Sequence, residues 1–251
     1  MPRFTPFRLA AVCALALSLT FAFTAVASAK GLMADLRVVG SGGKVLAEKT
    51  VASANVSVKT SSKATCFGPG TGGSGDSVAL KGNTAMGLLA SGAKTIPALR
   101  PLSISDHFDF GLALCGIGGS VAKGSSSWYL KINHKSQQVG GEKAKITAGD
   151  EVLWALSTTE APDYKYPEEL VLSAPSSAKA GSSFTVRVWS YDEKGKKTPQ
   201  GGAKVTGASA PTGADGRTTV TLSKPAKLSA KATGDIPSAR VAVCIGGKCP
   251  K

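Results

Sequence analysis

Few side chains in this 251-residue sequence have types and spacing suited to chemistry. Histidine occurs twice, at His107 and His134. His107 belongs to Asp106-His107-Phe108-Asp109, the one polar cluster with ligand-type side chains. No Gly-x-Ser-x-Gly elbow offers either histidine a nucleophile, so a Ser-His-Asp triad is not expected. Nothing marks a carboxylate pair for acid–base work. The cysteines lack the CxxC spacing and nearby histidine pair of a zinc site, so no metal is expected. Phe67–Asp76 is glycine-rich but lacks the Gly-Lys-Ser/Thr ending that grips phosphate, and reads as a mobile surface loop. What remains is binding rather than catalysis: the chain is expected not to be an enzyme.

The candidate ligand-binding residues are Asp106, His107, Phe108, Tyr129 and His134. Tyr129 lies in Ser127–Ile132, where Trp128, Leu130 and Ile132 point one way and Tyr129 and Lys131 the other. Trp128 and Trp154 therefore read as core. Tyr129 shares its face with a lysine and is expected to be partly exposed. A pocket built on these residues requires the Asp106–Asp109 loop, His134 and Tyr129 to converge on one concave surface. Scatter would leave adhesion as the better reading.

Residues 1–29 read as a secretory leader, with basic Arg3 and Arg8, an apolar stretch from Leu9, and Ala27-Ser28-Ala29 as the cleavage site. No later apolar run is long enough to span a membrane. The expected location is extracellular, with the protein either secreted or retained at the cell surface. Beyond residue 29, four cysteines remain, an even number that in an exported chain implies two disulfides. Cys244 and Cys249 flank Ile245-Gly246-Gly247-Lys248, a two-residue hairpin turn that would set the two cysteines opposite each other. Cys66 with Cys115 follows by elimination.

The whole sequence carries 30 basic and 16 acidic residues. Without Arg3 and Arg8, 28 basic against 16 acidic residues leave a net charge of +12. Only five of the 28 are arginines, and no basic run interleaves with aromatics, so nucleic acid is not an expected partner. The charge reads as solubility with attraction to anionic envelope polymers.

These residues need a scaffold of short strands. In the first part, Ala34–Val39 and Ala52–Lys59 read as a strand pair around Gly40–Gly43. Ala85–Ala93 reads as a short helix capped by Asn83 or Thr84, with Met86, Leu89 and Ala93 on one face. Asn133-His134 falls where a tight hairpin turn belongs, and Val152, Trp154 and Leu156 face the core from a further strand. Residues 158–167 read as a linker. The second part, 168–251, offers strands at Leu170–Ala174, Phe184–Tyr191, Ala203–Thr206, Thr218–Leu222, Lys227–Ala232 and Ala239–Ile245, separated by turn signals. The fold class is mainly β: an α+β domain with one short helix at 30–157, then an all-β sandwich.

The run Trp128–Asn133 followed by Ile146–Trp154 resembles the C-terminal domain of the transcobalamin and intrinsic-factor proteins, as found in a bacterial family of unknown function. That resemblance implies a β-grasp-like fold for 30–157 and places the helix after the second strand. It also implies a corrinoid as a possible ligand, near Tyr129 and the Asp106–Asp109 loop. The family's Asn-Gly turn is Asn133-His134 here, and Phe67–Asp76 is an atypical insert. The pattern of Asp192, Gly195, Gly202–Val205, Ala214–Arg217 and Leu222 resembles bacterial immunoglobulin-like domains, which implies a spacer or adhesion module. The expected function is that of a secreted or cell-surface binding or adhesion protein for an envelope polymer, a protein or a small molecule, with corrinoid binding as the alternative.

Overall fold

A computed structural model describes residues 31–159 and 165–251. The expected leader at 1–29 and the middle of the expected 158–167 linker lie outside the described residues. The first part runs β1 (Leu32–Val39), β2 (Val45–Ser53), β3 (Val56–Lys59), β4 (Ser77–Leu80), α1 (Ala85–Thr95), β5 (Leu102–Phe108), β6 (Gly111–Ile117), β7 (Ser120–Val121), β8 (Ser126–Ile132), β9 (Lys135–Ser136) and β10 (Glu151–Thr158). The second part runs β11 (Glu169–Ser173), β12 (Ser177–Ala178), β13 (Ser183–Tyr191), β14 (Lys197–Pro199), β15 (Lys204–Val205), β16 (Arg217–Thr221), β17 (Ala226–Leu228), β18 (Ala230–Lys231) and β19 (Val241–Ile245). The class is mainly β, as the turn-rich sequence implies.

The main sheet is ordered β2-β1-β10-β8-β9, with β1 and β10 parallel and the other neighbours antiparallel. Alternation along each strand assigns its two faces. Leu36 and Val38 of β1, Trp128, Leu130 and Ile132 of β8, and Val152 and Trp154 of β10 share one core with α1. Thr84 caps α1 by accepting a hydrogen bond from Gly87 N at 3.1 Å. Gly92, which weakens an isolated helix, is required by packing: a Cβ there would stand 2.7 Å from the Leu36 side chain.

The partner of β1 differs from expectation. It is Val45–Ser53 rather than Ala52–Lys59. The chain leaves β1 through a short 3-10 turn at Ser41–Gly43 and pairs back at once. It leaves that ladder after Ser53, and Val56–Lys59 pairs with β4 instead.

The opposite face of the main sheet is also covered. Val39, Tyr129, Leu153 and Ala155 pack with Ile236 and Tyr166. Tyr129 is therefore 7% exposed, not partly open. The second part lies over this face, so β10 is apolar at consecutive positions, as expected of a strand buried on both sides.

In the second part, the sheet of β11, β13, β14 and β16 and the sheet β12-β19-β17 enclose a core of Leu170, Leu172, Val186, Val188, Val220, Leu228, Val243 and Ile245. The hairpin at its end follows the expected register. Ile245 and Lys248 exchange backbone hydrogen bonds of 2.8 and 3.1 Å around Gly246-Gly247, both at positive φ. Cys244 and Cys249 then oppose each other and are bonded, with Cα atoms 4.1 Å apart. Cys66 and Cys115 form the second disulfide. Among the described residues, no helix is long and apolar enough to cross a membrane.

Candidate functional site

The five candidate residues do not converge, so the pocket expected from the Asp106–Asp109 loop, His134 and Tyr129 is not formed, and a small-ligand site can rest only on other side chains gathered around Tyr129. Asp106 leaves β5 and accepts hydrogen bonds from Ser74 N at 2.6 Å and Ser74 Oγ at 2.7 Å. Those bonds hold its carboxyl below the usual aspartate range. Together with Ser105 Oγ donating to Thr71 O at 2.7 Å and Gly73 N to Ser61 O at 2.9 Å, they pin the glycine-rich segment to the body. That segment is a tied loop rather than a free one. His107 is exposed and meets Phe108 edge-on. Phe108 packs on the Cys66–Cys115 disulfide, stacks on Phe110 at 5.0 Å and meets Phe67 edge-on at 5.3 Å.

His134 serves a different place. Asn133 and His134 form the two-residue turn between β8 and β9, with φ of 49° and 69°. The ring stacks on Tyr191 at 4.1 Å, and its Nδ1 lies 3.2 Å from Glu169 Oε1. Glu169, 1% exposed, also takes Arg37 Nη1 at 3.1 Å and lies 3.5 Å from Lys131 Nζ. Glu151 approaches Arg37 at 3.7 Å and His134 at 3.9 Å. Burial would raise the Glu169 carboxyl, but His134, Arg37 and Lys131 outweigh it and hold it low. The same contact with Glu169 raises His134 against its burial. Glu151 is raised, by burial first and then by the Glu169 charge. Burial lowers Lys131 more than Glu169 restores it. Donor atoms of His134, Glu151 and Glu169 lie within 4.8 Å of one another, the spacing of a cation site. Arg37 and Lys131 already neutralise those carboxylates, so the cluster is an ion-pair lock between the two parts.

Tyr129 alone of the five lines an aromatic cavity of about 290 Å³. It opens where the edge of β8 meets β6 and the segment after β9. Its aromatic lining is Phe67, Phe110, Trp128, Tyr129, Trp154 and Tyr166. Phe67 and Phe110 are 58% and 57% exposed, large apolar surfaces at the rim. Tyr166 stacks on Tyr129 at 4.5 Å, and Glu193 approaches from the second part, so both parts wall the cavity. Burial, with a smaller contribution from the Glu193 charge, pushes the Tyr129 hydroxyl up to about 12. It stays a neutral phenol at physiological pH.

Trp128 and Trp154 can be read from the sequence either as core or as lining a ligand surface, and they do both: they are buried in the core and back the cavity. Phe67, Phe110, Tyr166 and Glu193 were missed altogether. Their only sequence signal is a pair of aromatic residues flanking the Cys66–Cys115 framework. The cavity forms by tertiary approach of strands far apart in sequence.

No family model matches the sequence, and no curated protein matches it. Among solved structures, a crystal structure of haptocorrin in complex with Cbi aligns with 51% of this chain, at 11% identity and a TM-score of 0.35. The alignment covers 25% of that protein, so this chain spans about a quarter of its length. The likeness is a distant one of fold.

Proposed function

We propose that this chain is a non-enzymatic binding protein of an oxidising, extracytoplasmic compartment, and that it holds a small ligand in the cavity beside Tyr129. The carrying observation is the cavity itself: six aromatic side chains, two of them largely exposed at the rim, around about 290 Å³. That size is at the lower end for small-molecule sites, and the aromatic faces are joined by polar side chains, Ser136, Gln137, Gln138 and Glu193, that can orient a ligand. Neither histidine lines it, which supports binding over catalysis. The two disulfides suit an exported protein. The two-part organisation at 30–157 and 168–251 belongs to the same proposal, with both parts contributing to the site.

The test is a titration of the oxidised, leader-free chain with a panel of small aromatic compounds, read by tryptophan fluorescence. Cobalamin and cobinamide, read by their visible spectra, form a second arm. A saturable change that Phe110→Ala weakens supports the cavity reading. A saturable corrinoid shift unaffected by Phe110→Ala would move the ligand elsewhere on the chain. No response in either arm, with retention of the protein on isolated cell envelopes, would overturn the small-ligand reading in favour of adhesion.

A further inference from the structure

We infer that the cavity selects an organic cation, an ammonium group carried on a flat apolar body; this rests on the binding reading above. The chain carries a net charge of +14, yet no lysine, arginine or histidine is among the described residues that line the cavity. The one charged lining residue is Glu193. Among the described residues it has no ion-pair partner. It stands at the end where Tyr129 and Tyr166 stack.

A second carboxylate lies behind the cavity wall. Glu142 lies behind Gly140, a lining residue, so close that a Cβ on Gly140 would stand 2.5 Å from Glu142 Oε2. Both oxygens of Glu142 are buried and accept no hydrogen bond. Lys143 Nζ, which donates to Phe110 O at 2.8 Å, stands beside Glu142, since both come within 3.6 Å of a Cβ placed on Gly111, and it offsets part of that charge. A carboxylate on an aromatic wall that carries no lining cation favours a positive ligand. The aromatic faces add to that preference through the negative charge on their rings. An anionic ligand would meet Glu193 and no cation among the described lining residues. The local field thus runs opposite to the charge of the molecule as a whole, which separates this cavity from the basic surface around it.

The test uses three probes of one shape: 2-phenylethylamine, 2-phenylethanol and 3-phenylpropionate. Each is titrated into the oxidised chain at low salt with tryptophan fluorescence as the readout. The amine is expected to bind about tenfold tighter than the alcohol, and the carboxylate not to saturate. Glu193→Gln should cut the amine-to-alcohol ratio several-fold, with circular dichroism reporting whether the fold is kept. Glu142→Gln should act in the same direction, with circular dichroism reporting whether the fold is kept. Equal binding of amine and alcohol, or preference for the carboxylate, would overturn the cation inference and leave the cavity reading standing. Failure of all three probes to bind would overturn both.

Discussion

His134 occupies a position that favours glycine on backbone grounds. It has φ of 69° in a two-residue turn, where a side chain adds strain. The ring is retained against that cost by stacking on Tyr191 and by the Glu169 carboxylate 3.2 Å away. The groups facing it are Glu151, Glu169, Arg37 and Lys131, with Tyr191 on its flat side. Because its pKa is raised from 6.5, the protonated ring stabilises the fold below that value, and this contribution fades as pH rises through the folded-state value. Glu151, raised from 4.5, acts in the same direction, since its ionisation beside Glu169 costs stability as pH rises. Glu169 is lowered from 4.5, so its contribution is present above that value and lost on acidification. Stability should therefore peak between the two reference values. In His134→Gly the turn is relieved but the ring's charge is gone. We expect a loss of about 1 kcal/mol near pH 5.5 relative to the parent and a smaller one near pH 8.5. Urea midpoints at the two pH values check this; equal losses would show that the ring acts by packing alone. None of this was legible in the sequence. Asn133-His134 was readable as a turn, but the partner that explains the histidine lies 35 residues further on, in another part of the fold.

The elements were legible in proportion to how local their causes are. The Cys244–Cys249 hairpin follows from the Gly-Gly turn between two cysteines, and helix α1 from Thr84 and the apolar spacing after it. The pairing of β1 was misread because the break after Ser53 leaves no mark in the apolar pattern. The disulfides give a prediction at this scale. Cys66 and Cys115 are 49 residues apart and Cys244 and Cys249 are 5 apart. In the chain-entropy model the first closure is worth about 4 kcal/mol and the second about 2 kcal/mol. Cys66→Ala with Cys115→Ala should thus destabilise roughly twice as much as Cys244→Ala with Cys249→Ala in denaturant unfolding. The first pair should also weaken probe binding, because Phe108 rests on that bridge and supports Phe67 and Phe110 at the cavity rim. A larger loss from the hairpin pair would mean that the second part depends on its edge more than loop entropy allows.

At the scale of the whole molecule, the sequence suggested two parts joined by a polar linker, and such parts would be expected to unfold separately. The seam argues for coupling. Tyr129, Leu153 and Ala155 of the main sheet are buried against Tyr166 and Ile236. Glu169 reaches across to Arg37 and Lys131, and Lys131 Nζ donates to Tyr191 O at 2.9 Å. Arg240 pairs with Glu48 at 2.6 Å on the rim. Lys131 is the residue that misled the exposure reading of Tyr129: a lysine on a strand face signals solvent unless a carboxylate from elsewhere meets it. Removing that carboxylate should be costly, because Lys131, 1% exposed, would lose its counter-charge and Arg37, 3% exposed, would keep only Glu151 at 3.7 Å. Breaking one side of a buried pair typically costs about 3–5 kcal/mol. The parent chain should therefore unfold in a single calorimetric transition. Glu169→Gln should separate it into two, the lower one reporting release of the second part, with Tyr129 becoming accessible to modification at that step. Two transitions in the parent, unchanged by Glu169→Gln, would mean that the seam does not couple the parts and that the ion pairs only decorate it. If the coupling holds, the cavity inherits it, since Tyr166 and Glu193 stay at its wall only while the seam is closed.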